Sequence, residues 1–183
     1  MSADSVVAGA PPAFGPTPGL ARRMACFVYE AMLLFGIGLI PGAVGAWFVA
    51  QTEHQHPLQS DAALRVYAFV FYGVYFTWFW SRRGQTLAMQ TWRIEVVTAD
   101  GKRLSQARAL MRYLAACMWF LPGTLYAQVN RLPPWQSLAA VGAGIVLYAL
   151  LTLLQREHQF WHDVVCGTRL VELPPPPKRR LFD

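Results

Sequence analysis

Charged side chains are scarce in this sequence. Asp, Glu, Lys and Arg together make up 14% of the 183 residues, whereas hydrophobic residues make up 55%. The charged share is about half that of a typical soluble domain. The three cysteines, Cys26, Cys117 and Cys166, are too few and too far apart for a disulfide framework, and no Cys-x-x-Cys pair is present. The composition excludes a disulfide-stabilised secreted domain and indicates that lipid surrounds much of the chain.

The sequence also lacks a recognisable catalytic motif. It contains no glycine-rich phosphate loop, no His-Glu-x-x-His and no arguable Ser-His-Asp set. His158 and His162 are four residues apart and could bind a metal with Glu157 or Asp163, but no third clear ligand accompanies them. Polar residues at a membrane interface are the simpler interpretation. We therefore expect neither an enzyme nor a bound metal or other cofactor.

Long uncharged runs are present instead. Residues 31–50 carry no charge, and twenty helical residues at about 1.5 Å each cross a hydrocarbon core of about 30 Å. Runs of this kind predict an all-α membrane protein with four transmembrane helices, since a soluble protein rarely contains four of them. The predicted spans cover about residues 24–50, 62–80, 110–130 and 135–155.

Lysine and arginine residues lie mainly on one side of these spans. Of the 16, only Arg65 and Arg131 fall on the side that holds the first and third loops between spans. Basic residues stay preferentially on the cytoplasmic side, so both termini are predicted to be cytoplasmic. The net charge of +6 then reflects membrane topology. We expect the lipid bilayer to be the partner and expect no nucleic acid.

Both ends of the chain are predicted to lie outside the membrane domain. Residues 1–19 are rich in Pro, Gly and Ala and are predicted to be a disordered tail. Residues 20–173 form the predicted membrane domain. Residues 174–183 form a proline-rich basic tail, for which a spacer touching anionic lipid is favoured over a proline ligand for a partner domain.

Two short strands are predicted on the cytoplasmic side. Trp92, Ile94 and Val96 alternate with charged residues, a period of two that is typical of a strand with one apolar face. Asp100 and Gly101 follow as a turn signal, and residues 167–173 form the second strand candidate. We expect the two strands to pair into a small β element.

Small residues recur at helical spacing within the first and fourth predicted spans. Gly38, Gly42 and Ala46 lie four residues apart on one face, and Ala140 and Gly144 do the same in the fourth span. Such faces allow close contact between membrane helices, although small residues are also simply common there. We interpret Gly38, Gly42 and Ala46 as candidate helix-packing residues.

Glu30 is the most informative charged residue. It lies seven residues, about 10 Å, inward of Arg23, and a charge near mid-membrane costs about 2.5–3.5 kcal/mol when it has no partner. Arg112 is its predicted partner and Arg23 the weaker candidate. Asp163 follows the fourth predicted span and is therefore expected at the same cytoplasmic-side level of the membrane as these three residues. Arg23, Glu30, Arg112 and Asp163 then form either an ion or proton site or a structural charge network.

Three segments carry a family resemblance. Residues 23–30, RMACFVYE, place an arginine before an acidic residue in the first predicted helix. The central segment holds GQTL at 84–87, RIEVV at 93–97 and Arg112, and the closing segment holds WHD at 161–163 and GTRLV at 167–171. In this order they resemble the RDD family of membrane proteins over about residues 19–173. Glu30 stands where that family has an aspartate.

The resemblance implies a bacterial inner-membrane protein. It also implies movement of an ion or small solute, of the cation/proton exchange type suggested for some family members, with Glu30 and Asp163 as exchangeable carboxylates tuned by Arg23 and Arg112. Because four short helices barely enclose a polar route, we expect a homo-oligomer or association with other membrane proteins. The alternative is a non-catalytic membrane scaffold or assembly factor that binds other membrane proteins.

Overall fold

The computed structural model describes residues 15–51 and 61–175, and within these ranges the chain is mostly helical. Residues 1–14 and 176–183 of the predicted tails lie outside the described residues. The helices are α1 (Leu20–Gln51), α2 (Asp61–Arg82), α3 (Leu87–Trp92), α4 (Gln106–Ala116), α5 (Leu121–Val129), α6 (Pro134–Leu150) and α7 (Trp161–Val165), the strands are β1 (Ile94–Thr98) and β2 (Thr168–Glu172), and 3-10 turns cover Cys117–Trp119 and Leu151–Leu154.

One described stretch, Pro134–Leu154, is long and apolar enough to cross a membrane by length and composition, with a mean hydropathy of 2.2. It comprises α6 and the 3-10 turn that follows, and it coincides with the fourth predicted span. The helices α1 and α2 contain 32 and 22 residues, lengths of about 48 and 33 Å at the usual helical rise.

The third predicted span, 110–130, is not one continuous α-helix. The helix α4 ends at Ala116, a 3-10 turn follows, and α5 begins at Leu121. Pro122 lies in the first turn of α5 and has no backbone N–H to bond a carbonyl of the preceding turn. The proline therefore interrupts the hydrogen-bond ladder and divides the segment into two helices.

The predicted strand pair is confirmed. The strands β1 and β2 are antiparallel, and Val96 faces Leu170 across the ladder. The outer edge of β2 is also bonded, because Pro16 accepts a hydrogen bond from the Glu172 backbone N–H at 2.9 Å. Beside it, the amide of Gln159 bonds both the N–H and the C=O of Leu170, at 3.0 and 3.1 Å. The short sheet is therefore covered along this edge.

The main buried core lies at the end of the molecule that holds this sheet. Its members come from most elements and include Cys26, Trp80, Ala88, Met89, Ile94, Val96, Leu104, Trp119, Phe160 and Leu170. Along α1 the pattern is different, because Met32, Phe35 and Trp47 are more than 60% exposed. Exposed large apolar side chains of this kind are expected where lipid replaces water as the solvent.

Candidate functional site

Asp163 and Arg112 form a buried ion pair in the core. The Arg112 Nε lies 2.7 Å from the Asp163 Oδ1, and both side chains are buried. The Thr168 hydroxyl donates to the same carboxylate oxygen at 3.0 Å, and the Arg112 guanidinium stacks 4.1 Å above the Trp80 ring centroid. The pair therefore joins α4, α7, the start of β2 and the end of α2.

Aromatic residues surround Asp163 on its other side. His162 is buried, with its Nε2 3.7 Å from Asp163 Oδ2. The Tyr148 hydroxyl lies 3.0 Å from His162 Nδ1 and accepts a hydrogen bond from the His162 backbone N–H at 3.0 Å. Phe160 stacks nearly parallel on His162, with 5.5 Å between ring centroids. These contacts hold α7 against α6 and fix the direction in which Asp163 points.

Arg23 enters the same region from α1. Its guanidinium lies 4.5 Å above the Phe160 ring, a distance at which a cation is attracted to an aromatic face. Arg23 is 4% exposed, and its Nε and Nη1 have no hydrogen-bond partner within the described part of the chain. Asp163 Oδ2 is likewise buried without a hydrogen bond there. The Arg23 guanidinium and the Asp163 carboxylate attract each other without forming a direct ion pair.

Glu30 lies elsewhere and is bound by hydroxyl groups. The Tyr75 hydroxyl donates to its Oε1 at 2.7 Å, and the Thr86 hydroxyl donates to its Oε2. Glu30 is 7% exposed, and in residues 15–51 and 61–175 no Lys or Arg forms an ion pair with it. Thr86 is also the N-cap of α3, so Glu30 links α1 to α2 and α3.

The predicted pairing of Glu30 with Arg112 is wrong. Asp163 binds Arg112 instead, because α7 brings a fully buried carboxylate directly against α4. Glu30 turns toward the hydroxyls of α2 and of the loop before α3. Arg23, Arg112 and Asp163 are thus brought together, while Glu30 forms a separate group with Tyr75 and Thr86.

The candidate packing residues of α1 lie in different surroundings. A Cβ added to Gly38 would lie 3.0 Å from the Tyr72 hydroxyl of α2, whereas one added to Gly42 would meet nothing within 4 Å. The side chain of Ala46 lies outside the described residues. Gly144, from the corresponding pattern in the fourth span, contacts α5, because a Cβ added there would lie 3.0 Å from the Gly123 backbone nitrogen.

The sequence that contains these residues matches a known protein family. A model of the RDD family matches residues 17–167, most of the chain, and this range contains Arg23, Glu30, Arg112 and Asp163. The chain belongs to the RDD family. Searches of curated proteins and of solved structures gave no match. Family membership and the apolar Pro134–Leu154 stretch together support a membrane protein.

Several residues of this RDD protein that contact the charged groups are not evident from the sequence. Tyr75 lies in an aromatic run that resembles an interfacial belt, and Thr86 and Tyr148 belong to none of the predicted sites. Thr86 carries a detectable signal, because a threonine directly before a short helical segment is a common N-cap. Tyr75 carries none. Among the described residues, no group of three or more His, Cys, Asp or Glu side chains is suited to hold a metal ion.

The charges around α7 predict that stability depends on pH. Burial lowers the pKa of His162 to about 4. Burial alone would raise the pKa of Asp163, but the positive charge of Arg112 and the hydrogen bonds from Arg112 and Thr168 lower it overall. An unfolded histidine has a pKa of about 6.5. Between pH 6.5 and 4 the unfolded chain therefore binds more protons than the folded one at His162.

We accordingly expect the free energy of unfolding to decrease as the pH falls from 6.5 to 4, and to decrease further below pH 4 as Asp163 protonates. Unfolding in detergent micelles at a series of pH values measures this. His162→Asn should flatten the slope between pH 6.5 and 4, whereas His158→Asn, at an exposed position, should leave it unchanged. Equal slopes in the wild type and His162→Asn would contradict the assignment.

Proposed function

We propose that this RDD protein is a multi-pass protein of the bacterial inner membrane, with four crossings and both termini in the cytoplasm. The distribution of Lys and Arg supports this orientation. The exposed apolar side chains of α1 and α2 support lipid contact. In this arrangement α4, the 3-10 turn and α5 form the third crossing, and the sheet lies on the cytoplasmic side with α3 and α7.

We further propose that the protein has no enzymatic role and exchanges protons for a cation or small solute, with Glu30 as the exchangeable group. One observation carries this proposal. Glu30 is a buried carboxylate bound by two hydroxyls and by no described basic residue. Intramembrane acids frequently mark ion and proton pathways. Hydroxyl and carboxylate oxygens are also suitable ligands for hard cations.

Asp163 has a different role in this proposal. Its tight pairing with Arg112 keeps it ionised, so we assign it to the structural charge network that holds α4 and α7 together. The exchangeable pair implied by the family resemblance is thereby reduced to Glu30 alone. Arg112 stabilises Asp163 and has no direct part in proton exchange.

Arg23 supports a transport cycle with two conformations. A buried guanidinium without full hydrogen bonding is costly. Asp163, whose negative charge attracts Arg23, also has an Oδ2 that is unbonded within the described chain. A shift of α1 toward α7 would join the two groups. Alternating access requires a second conformation of the protein, and a shift of α1 would provide one. Because Glu30 is also on α1, its surroundings would change in the same step.

Proteoliposomes test the proposal. Purified protein is reconstituted with a pH-sensitive dye inside the vesicles, and Na⁺, K⁺ or Li⁺ is added outside. We expect a cation-dependent change of internal pH with the wild type. Glu30→Gln should reduce its rate at least tenfold, because the amide cannot release a proton. Glu30→Asp should retain transport, since the carboxylate remains.

Two controls separate this effect from general loss of charge or of fold. Glu157→Gln removes a carboxylate at an exposed position and should transport like the wild type. All variants should elute at the same volume in size-exclusion chromatography. If folded wild type moves no common cation and co-purifies with a stoichiometric membrane partner, transport fails and the scaffold alternative replaces it.

A further inference from the structure

A groove of about 500 Å³ opens between α5 and α6 beside the turn that joins them. Leu132, Leu138 and Val141 contribute apolar walls, and Arg131 is the one charged residue among the described residues that line it. The groove is at the beginning of α6, about 25 Å along that helix from its other end near the ion pair. It is therefore separate from the site described above.

The backbone places Arg131 in an uncommon conformation. Its φ is 49°, in the left-handed region that favours glycine. Its N–H bonds the Gln128 carbonyl at 3.2 Å, and the N–H of Leu132 bonds the Ala127 carbonyl at 3.0 Å. These two bonds form the usual helix-ending motif whose left-handed position is most often glycine. An arginine there is less favourable locally, and residues held in sparsely populated conformations cluster at functional sites.

In the proposed topology Arg131 lies in the loop between the third and fourth crossings, at the level of the lipid headgroups. The neighbouring Tyr126 and Trp135 are 60% and 70% exposed, and aromatic side chains of this kind concentrate at the membrane–water interface. Arg131 itself is exposed and forms no ion pair with a described acid. A cation at headgroup level next to an apolar groove is complementary to a molecule with a negative head and a hydrocarbon tail.

We propose that this groove binds one anionic phospholipid, such as phosphatidylglycerol, with an acyl chain between α5 and α6 and the headgroup phosphate on Arg131. The groove volume lies within the range of about 300–1,000 Å³ usual for small-molecule sites. A zwitterionic lipid has the same phosphate, but its ammonium group cancels the net charge that Arg131 attracts. The proposal rests on the membrane crossing by α5 and α6 and not on ion exchange.

A second groove provides an internal comparison. It lies along α1 and is lined by Phe27, Val28, Ala31, Met32 and Phe35. None of these side chains is charged. We expect lipid to occupy it without headgroup selectivity. Of the two grooves, the one at Arg131 should therefore be the one that selects anionic lipid.

Native mass spectrometry of protein equilibrated with equal amounts of phosphatidylglycerol and phosphatidylcholine tests the site. We expect the wild type to retain one phosphatidylglycerol selectively. Arg131→Gln should lower that selectivity at least tenfold, whereas Arg65→Gln, at the other basic position predicted on the same side and exposed, should not. Free glycerol phosphate should not compete, because it lacks the acyl chain.

Arg131→Gly keeps the test meaningful if Arg131→Gln folds poorly, because glycine suits the left-handed backbone. It should fold at least as well as the wild type and lose the selective lipid. Equal retention of the two lipids by the wild type would overturn the proposal. So would equal loss of selectivity in Arg65→Gln. Destabilisation by Arg131→Gly in lipid-free detergent would also overturn it, by showing that Arg131 binds a group of the protein.

Discussion

Replacing Asp163 by Asn is expected to lower the free energy of unfolding by about 3–5 kcal/mol, the usual cost of removing one partner of a buried ion pair. The variant leaves the Arg112 guanidinium buried against Trp80 with no negative charge to balance it. It also weakens the acceptor for the Thr168 hydroxyl. The link between α4, α7 and β2 should loosen as a result.

Unfolding in detergent micelles, followed by tryptophan fluorescence, measures this change. Asp100→Asn is the matched control, because Asp100 is exposed in the turn after β1, and it should shift stability by no more than about 0.5 kcal/mol. Arg112→Met combined with Asp163→Leu removes both charges and should cost less than the sum of the single changes. A loss at Asp163→Asn as small as at Asp100→Asn would show that the pair is not structural.

Replacing Gly123 by Ala is expected to destabilise the α5–α6 hairpin by about 1–3 kcal/mol or more, as overpacking does. A Cβ at Gly123 would lie 2.4 Å from the Val141 Cα and 2.5 Å from the Ala140 carbonyl oxygen. Both are backbone atoms of α6, so no side-chain rotation can relieve the overlap. The two helices would have to separate along their whole contact.

Gly142→Ala in α6 is the matched control for this second change. A Cβ at Gly142 would meet nothing within 4 Å, and alanine is favoured over glycine inside a helix by about 0.5–1 kcal/mol. The two substitutions are chemically identical but should change the thermal unfolding midpoint in opposite directions. A shift of the same sign and size for both would contradict the close crossing at Gly123.

The sheet is easier to predict from the sequence than the charge contacts are. The period of two around Ile94 and Val96 is a local property, and it fixes both the strand and its buried face. The break at Pro122 is also present in the sequence as a helix-interrupting residue, yet the uncharged run around it predicts one span. Hydropathy reports the depth of a residue and is insensitive to a short 3-10 interruption.

The partner of Glu30 could not be predicted, because the predicted depth of a residue in the membrane does not say which way its side chain points. Hydropathy and charge predict one layer for Glu30, Arg112 and Asp163, but which carboxylate meets Arg112 depends on helix rotation and on the position of α7. That short helix is placed by contacts distant in sequence, such as Tyr148 with His162 and Gln159 with Leu170. No periodicity encodes these contacts.

The two carboxylates thus have opposite chemical surroundings. Asp163 is balanced by a guanidinium and held by three elements, whereas Glu30 is bound by hydroxyls that accommodate a charge without cancelling it. A balanced ion pair resists protonation, while a carboxylate among neutral donors can gain or lose a proton with small structural change. On this difference rests the proposal that Asp163 is a structural group and Glu30 an exchangeable one.

Infrared titration of the reconstituted protein tests the exchange at Glu30 most directly. We expect a carboxylic acid C=O band that grows as the pH is lowered, shifts when a transported cation is added, and is absent from Glu30→Gln but present in Glu157→Gln. A wild-type spectrum with no such band, or a band that persists in Glu30→Gln, would contradict it.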